Sequence, residues 1–174
     1  MTTSLNKDGT RAERAARELA MRLHAGQAWG PFSYIVHLDR VYACLAEAGQ
    51  GEALRVAAYL HDALEDTALT QEEISLQFGD EVARLVDAVS GFGADRQAKQ
   101  QCIVAKLRAH PAAIPLKMAD RIVNMQFCLE TGRLYLLARY RQEHLEMGYR
   151  DLFCQGPKSL WQRYEALLPA SLRG

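Results

Sequence analysis

A chain of 174 residues is long enough to bury most of its apolar surface in one core, and 21 basic against 21 acidic side chains leave no net charge to support a non-specific nucleic-acid binder. Cys44, Cys102, Cys128 and Cys154 form neither a CxxC pair nor a zinc-ribbon spacing, so they read as reduced thiols. No segment approaches the ~20 apolar residues of a membrane helix, and MTTSLNKDGTRAER lacks the apolar centre of a secretory leader; the expected location is cytoplasmic, with no membrane or nucleic acid as partner.

The first ten residues, rich in Thr, Ser, Asn, Lys and Gly, read as a flexible tail, and residues 11–174 as one domain. RAERAARELAMRLHAG sets Ala15, Leu19 and Leu23 at i, i+4, i+8 with Gly26 as a stop, which predicts a first helix. Gly30 and Pro31 punctuate the approach to a second, striped by Ile35, Leu38, Val41, Tyr42 and Leu45 and ended by Gly49 and Gly51. A third is expected over residues 52–64. Thr70 with Glu73 spells a capping box for a short fourth helix ending near Phe78 and Gly79, and Asp80 is placed to cap a fifth through EVARLVDAVSGF. Further helices are expected over residues 96–109, 112–129, 134–153 and 160–168. No run alternates like a strand and no repeat is visible, so the expected fold is all-α, a single bundle of roughly eight helices.

Charge sums to zero without being evenly spread. Residues 51–95 carry 10 Asp/Glu and 2 Lys/Arg, whereas residues 96–150 carry 4 and 10. A basic half can hold phosphate while an acidic half supplies metal ligands and proton donors; solvated helix faces of opposite sign would give the same count. The sharpest local signal is HDALEDT, residues 61–67. On a helix Glu65 and Asp66 stand one turn beyond His61 and Asp62. Four ionisable groups at one end of an apolar helix are costly unless they pair or bind a metal.

HDALEDT, TQEEISLQFGDEVARLVDAVS and PLKMADRIVNM, preceded by HAGQ and YIVH, resemble in order and spacing the HD superfamily of phosphohydrolases. Within it they resemble the hydrolase domain of RelA/SpoT-type alarmone (ppGpp) enzymes and their small stand-alone relatives. The likeness spans residues 11–130. It implies a metal-dependent pyrophosphohydrolase in which His37, His61, Asp62 and Asp120 ligate one divalent ion. Two imidazoles and two carboxylates suit Mn²⁺ or Fe²⁺, and the family favours manganese; a tetrahedral Zn²⁺ also fits the residue types. Glu65 and Asp66 are the candidates for proton transfer, as neighbours of the ligands that need not fill the coordination shell.

The same resemblance implies that Asn124 contacts the nucleoside and Tyr34 packs near the substrate. Lys117 and Arg121 are candidates for binding phosphate, although Lys117 is also placed for a structural role and Arg121 for pairing with an acid. His24 is expected to be structural or to support the site, and His110 and His144, matching no motif, to be solvated. Where the family places a basic pair beside the purine, this chain has Ala28 and Trp29, and Ser33 and Leu38 stand where prolines are usual. Trp29 is either a stacking platform for a base or a buried anchor. Catalysis is expected to survive these departures, and guanine specificity to weaken. The expected partner is a nucleotide substrate: ppGpp first, with a nucleoside monophosphate or NADPH as the alternative, or an alarmone bound without catalysis. Oligomeric state is left open.

Overall fold

The computed structural model describes residues 9–172. The tail expected over the first ten residues therefore falls largely outside it, but Thr10 is ordered by a task of its own. Its hydroxyl accepts from Glu13 N while Glu13 returns a bond to the Thr10 N–H, a capping box that opens α1 (Arg11–Leu23). The buried face of α1 is Glu13, Ala16 and Ala20, rotated from the expected stripe through Ala15. Alanines let the backbone approach its neighbour, and Glu13 is tolerated inside because Arg55 and Tyr42 both donate to it.

A short hairpin follows, β1 (Ala28–Trp29) pairing antiparallel with β2 (Phe32–Ser33). Then come α2 (Ile35–Glu47), α3 (Glu52–Leu60), the single turn α4 (Ala63–Asp66), α5 (Gln71–Phe78) and α6 (Asp80–Val89). The Thr70–Glu73 capping box opens α5 as expected, whereas Gly79 rather than Asp80 occupies the cap of α6. The helix expected over residues 52–64 is broken at His61 and Asp62, which lie in a turn between α3 and α4.

The second half comprises α7 (Arg96–Ala109), a 3₁₀ turn at Pro111–Ala113, α8 (Ile114–Glu130), α9 (Leu134–Glu146), α10 (Tyr149–Phe153) and α11 (Lys158–Ala166). One helix was expected over residues 134–153, but Gly148 at φ +80° divides it into α9 and α10, a left-handed conformation that a glycine adopts without the steric cost other residues bear.

The all-α bundle is built around α8, which packs against α2, α3, α6, α9, α10 and α11. Of its 17 residues, 13 are buried, as a helix covered on all sides requires. None of the four cysteines is paired. Among the described residues no helix is long and apolar enough to cross a membrane.

Candidate active site

Three charged side chains sit on the buried length of α8: Lys117, Asp120 and Arg121 are 9%, 8% and 2% exposed, where an unpaired charge is expensive. Facing them, α2 presents His37 from its first turn, and the turn between α3 and α4 presents His61 and Asp62. His37 Nε2 lies 3.3 Å from His61 Nε2, 3.7 Å from Asp62 Oδ2 and 3.5 Å from Asp120 Oδ1. His61 Nε2 lies 2.9 Å from Asp62 Oδ2 and 3.7 Å from Asp120 Oδ1. His37, His61 and Asp62 thus bring three donor atoms within 4.8 Å of one another, and Asp120, from a third stretch of sequence, faces both imidazoles.

The donor set fits a divalent ion. His61 Nδ1 donates to the Ala58 carbonyl at 2.8 Å, which orients the ring and turns Nε2, the nitrogen a metal would take in place of a proton, into the cluster. His37 is buried with no hydrogen-bond partner at Nδ1 among the described residues, and its Nε2 faces the same point. Burial alone would lower the His61 pKa, but the Asp62 and Asp120 carboxylates outweigh it and push it up to about 10. Burial alone would likewise raise Asp62 and Asp120, yet His61 and Lys117 respectively hold them below the usual carboxylate range. The cluster's field therefore favours a positive charge at its centre.

A second ring of residues orients the carboxylates. Tyr34 Oη donates to Asp62 Oδ2; burial, then the Asp62 charge, raises the phenol's pKa and keeps it a donor. Lys117 Nζ donates to Asp120 Oδ2 at 2.9 Å and Asn124 Nδ2 to Asp120 Oδ1 at 2.6 Å. Trp29 Nε1 reaches Asn124 Oδ1 at 3.3 Å. Beside the cluster lies a cavity of about 240 Å³ whose lining brings Tyr34, His37, Asp62, Glu65 and Asp120 together with Arg96, Lys117 and Arg121. A larger recess of about 410 Å³, between α1 and the hairpin, shares the Tyr34 wall but has no acidic side chain in its lining.

The HD domain family model matches residues 16–144. The chain belongs to the HD domain family. Among its relatives, this HD domain is 40% identical over 121 residues to a "Probable GTP pyrophosphokinase" of Mycobacterium leprae, covering 64% of this chain and 15% of the relative. It is 38% identical over 98 residues to the guanosine-3′,5′-bis(diphosphate) 3′-pyrophosphohydrolase of Aquifex aeolicus, covering 53% and 14%. The chain thus spans about one-seventh of the length of these curated relatives. Among solved structures, a metazoan SpoT ortholog described as hydrolysing ppGpp superposes with a TM-score of 0.77 over 93% of this chain and 96% of its own. At 19% identity that match speaks for the shared fold.

Within the HD domain the two remaining acidic candidates part company. Glu65 lines the cavity, accepting from Gly91 N at 2.7 Å with Lys99 Nζ at 3.4 Å. Asp66 is exposed and accepts from Gln27 Nε2 at 3.1 Å; Gln27 in turn is tied to His24 Nδ1 at 2.7 Å. Arg121 touches the cavity but is committed inward, to Gln100 at 2.8 Å and Glu143 at 2.7 Å and over the Tyr149 ring. Trp29 does not line the 240 Å³ cavity; it is 8% exposed and stacks on Phe127 at 3.9 Å. His144, expected in solvent, is fully buried against Tyr164 and Trp161 of α11, a contact between distant segments that no motif announces.

Sequence reasoning passed over Arg96, Lys99, Gln100, Tyr140 and Glu143. Arg96 and Gln100 line the cavity with Tyr140, and Glu143 binds Arg96 at 2.5 Å. A signal was present. Arg96 and Lys99 lie in the first turn of α7, which carries no acidic residue, and cations at a helix N-terminus oppose the helix dipole.

Proposed function

We propose that this HD domain hydrolyses the 3′-pyrophosphate of guanosine-3′,5′-bis(diphosphate) with a divalent ion, manganese first among those to test, held by His37, His61, Asp62 and Asp120. The observation that carries the reading is one small cavity lined both by a His/Asp cluster with a carboxylate beside it and by basic side chains, in a chain whose relatives include an enzyme of that name. At about 240 Å³ the cavity is smaller than the ~300–1,000 Å³ that takes a whole drug-sized ligand, and its lining is polar, so it suits the diphosphate rather than the entire nucleotide.

When bound, the ion supplies Lewis acidity to a phosphoryl oxygen and lowers the pKa of a bound water. The chain's own residues do the rest. Lys117 and Arg96 offset charge on the phosphates, Arg96 from a side chain that is 45% exposed and held by Glu143. Glu65, with two of its roughly four acceptor positions occupied, keeps the others for a proton from the attacking water or for delivering one to the departing oxygen. Tyr34 and Asn124 hold the ligand carboxylates and line the same cavity.

The test is a release assay for phosphate and pyrophosphate across guanosine and adenosine nucleotides, including nucleoside monophosphates and NADPH, with Mn²⁺ and then with chelator. Pyrophosphate and guanosine diphosphate from the tetraphosphate, lost on chelation, are the expected result. Turnover of a different nucleotide alone would keep the hydrolase and change its substrate; binding of the tetraphosphate without turnover would make the domain a receptor.

A further inference from the structure

The loop between α6 and α7 is fastened to Glu65 through a backbone atom. Gly91 N–H donates to Glu65 Oε1 at 2.7 Å, and Lys99 Nζ stands 3.4 Å from Glu65 Oε2, so both oxygens of this cavity carboxylate are held from one side. The loop is itself anchored. Ser90 Oγ donates to the Val86 carbonyl at 2.8 Å, and Lys106 Nζ donates to the Ser90 carbonyl at 3.2 Å and to Asp87 Oδ1 at 2.6 Å. At Gly91 the chain runs so close to α7 that a Cβ would stand 2.7 Å from the Lys99 carbonyl oxygen and 2.9 Å from Ile103 Cδ1. The first of these is helix backbone, which cannot yield without moving the turn that carries Lys99.

We infer that Gly91 is a positioning residue: its N–H aims the Glu65 carboxylate into the cavity, and its missing side chain is what brings that N–H within reach. This rests on the hydrolase reading above, in which Glu65 handles a proton. Glu65 stands on a helix of only four residues and has three side-chain torsions to fix, so α4 alone does not direct it. A displacement of about 1 Å in a reacting group costs on the order of 10²-fold in rate, which makes a tether from a rigid neighbouring loop consequential.

Gly91→Ala is expected to lower kcat about 10²-fold with KM and bound metal, measured by elemental analysis, unchanged. Gly93→Ala is the control: its Cβ would stand 2.6 Å from Ala98 Cβ and 3.0 Å from the Ala98 carbonyl carbon and Lys99 N, crowding the same turn of α7, Lys99 included, while leaving the Gly91 N–H free to bond Glu65. It is expected to lower Tm as Gly91→Ala does while leaving kcat within a few-fold. The deciding comparison is Gly91→Ala in a Glu65→Gln background, where it should cost no further kcat because the group it positions is already disabled. Equal kcat losses in the two glycine variants, or a full additional loss in the Glu65→Gln background, would overturn the positioning role. If Gly91→Ala does not fold, Glu65→Asp carries the test: its carboxylate falls one methylene short of the Gly91 N–H, so kcat should drop with Tm and metal content held, and wild-type kcat overturns the inference. Undiminished kcat in Glu65→Gln is a separate outcome, overturning the role of Glu65 and the inference with it.

Discussion

Glu65 and Asp66 are adjacent, chemically alike and differently placed, so a pair of isosteric substitutions separates their work. Glu65 stands at the cavity with both oxygens directed by neighbours, while Asp66 is exposed and bonded to Gln27. Glu65→Gln is expected to keep its metal and lose ~10²–10⁴ in kcat, the range of a proton-transfer group; Asp66→Asn is expected to lose less. Equal losses, read from kcat and metal content together, would bring Asp66 into proton transfer. Trp29 poses the opposite question, since its indole is stacked on Phe127 with the Arg40 guanidinium over the ring at 5.2 Å and its one donor is given to Asn124. Trp29→Ala is therefore expected to cost about 3–5 kcal/mol of stability in denaturant titration, as truncation of a packed aromatic does, with KM affected equally for guanosine and adenosine nucleotides. A KM rise with no loss of stability would instead make Trp29 a platform for the base.

At the scale of elements, what was legible in the sequence was what repeats. The periodic stripe of α2 and the Thr70–Glu73 capping box of α5 announce those helices, and HDALEDT with PLKMADRIVNM announces the cluster. The interruptions are local and carry no period: two-residue strands are too short to alternate, Gly148 reads as one more glycine, and the turn at His61 and Asp62 is invisible in a run that would make a continuous helix. The packing of α9 on α11 was likewise hidden, and it has a consequence for acid stability. Burial lowers the His144 pKa to about 4 from an ordinary value of 6.5, with the cations of Arg150 and Arg121 adding to it and Asp151 opposing. The unfolded chain takes up this proton near 6.5 and the folded chain only near 4, so stability is unaffected above that window and falls as pH drops through it. Up to about 3 kcal/mol is at stake. His144→Phe, which keeps a ring in the site, should lose less stability than wild type between pH 7 and 4.5 in urea titrations; parallel losses would show that His144 contributes nothing to acid sensitivity.

Across the whole molecule, the uneven charge of the sequence becomes a geometry. The acidic stretch supplies Asp62 and Glu65 from the α3–α4 side, the basic stretch supplies Arg96, Lys117 and Arg121 from α7 and α8, and all of them line one cavity. Asp120 is the acid that the basic half contributes, neutralised by Lys117 beside it. This arrangement couples folding to metal. The residues proposed as ligands come from α2, the α3–α4 turn and α8, segments that are together only in the folded chain, so an ion that binds there binds the native state and stabilises it by mass action. At 100 times its dissociation constant the ion contributes about 2.7 kcal/mol, and for a chain of this size each kcal/mol moves Tm by about 2–4 °C. Adding Mn²⁺ to chelator-treated protein is therefore expected to raise Tm by about 5–10 °C, and Asp62→Ala, which removes a carboxylate facing both imidazoles, should abolish the rise and leave no metal by elemental analysis. The variant's own Tm without metal supplies the baseline, since the loss of the Tyr34 and His61 contacts to Asp62 lowers it independently of the ion. An undiminished Mn²⁺-dependent rise in Asp62→Ala would place the stabilising ion elsewhere on the molecule and remove Asp62 from the ligand set.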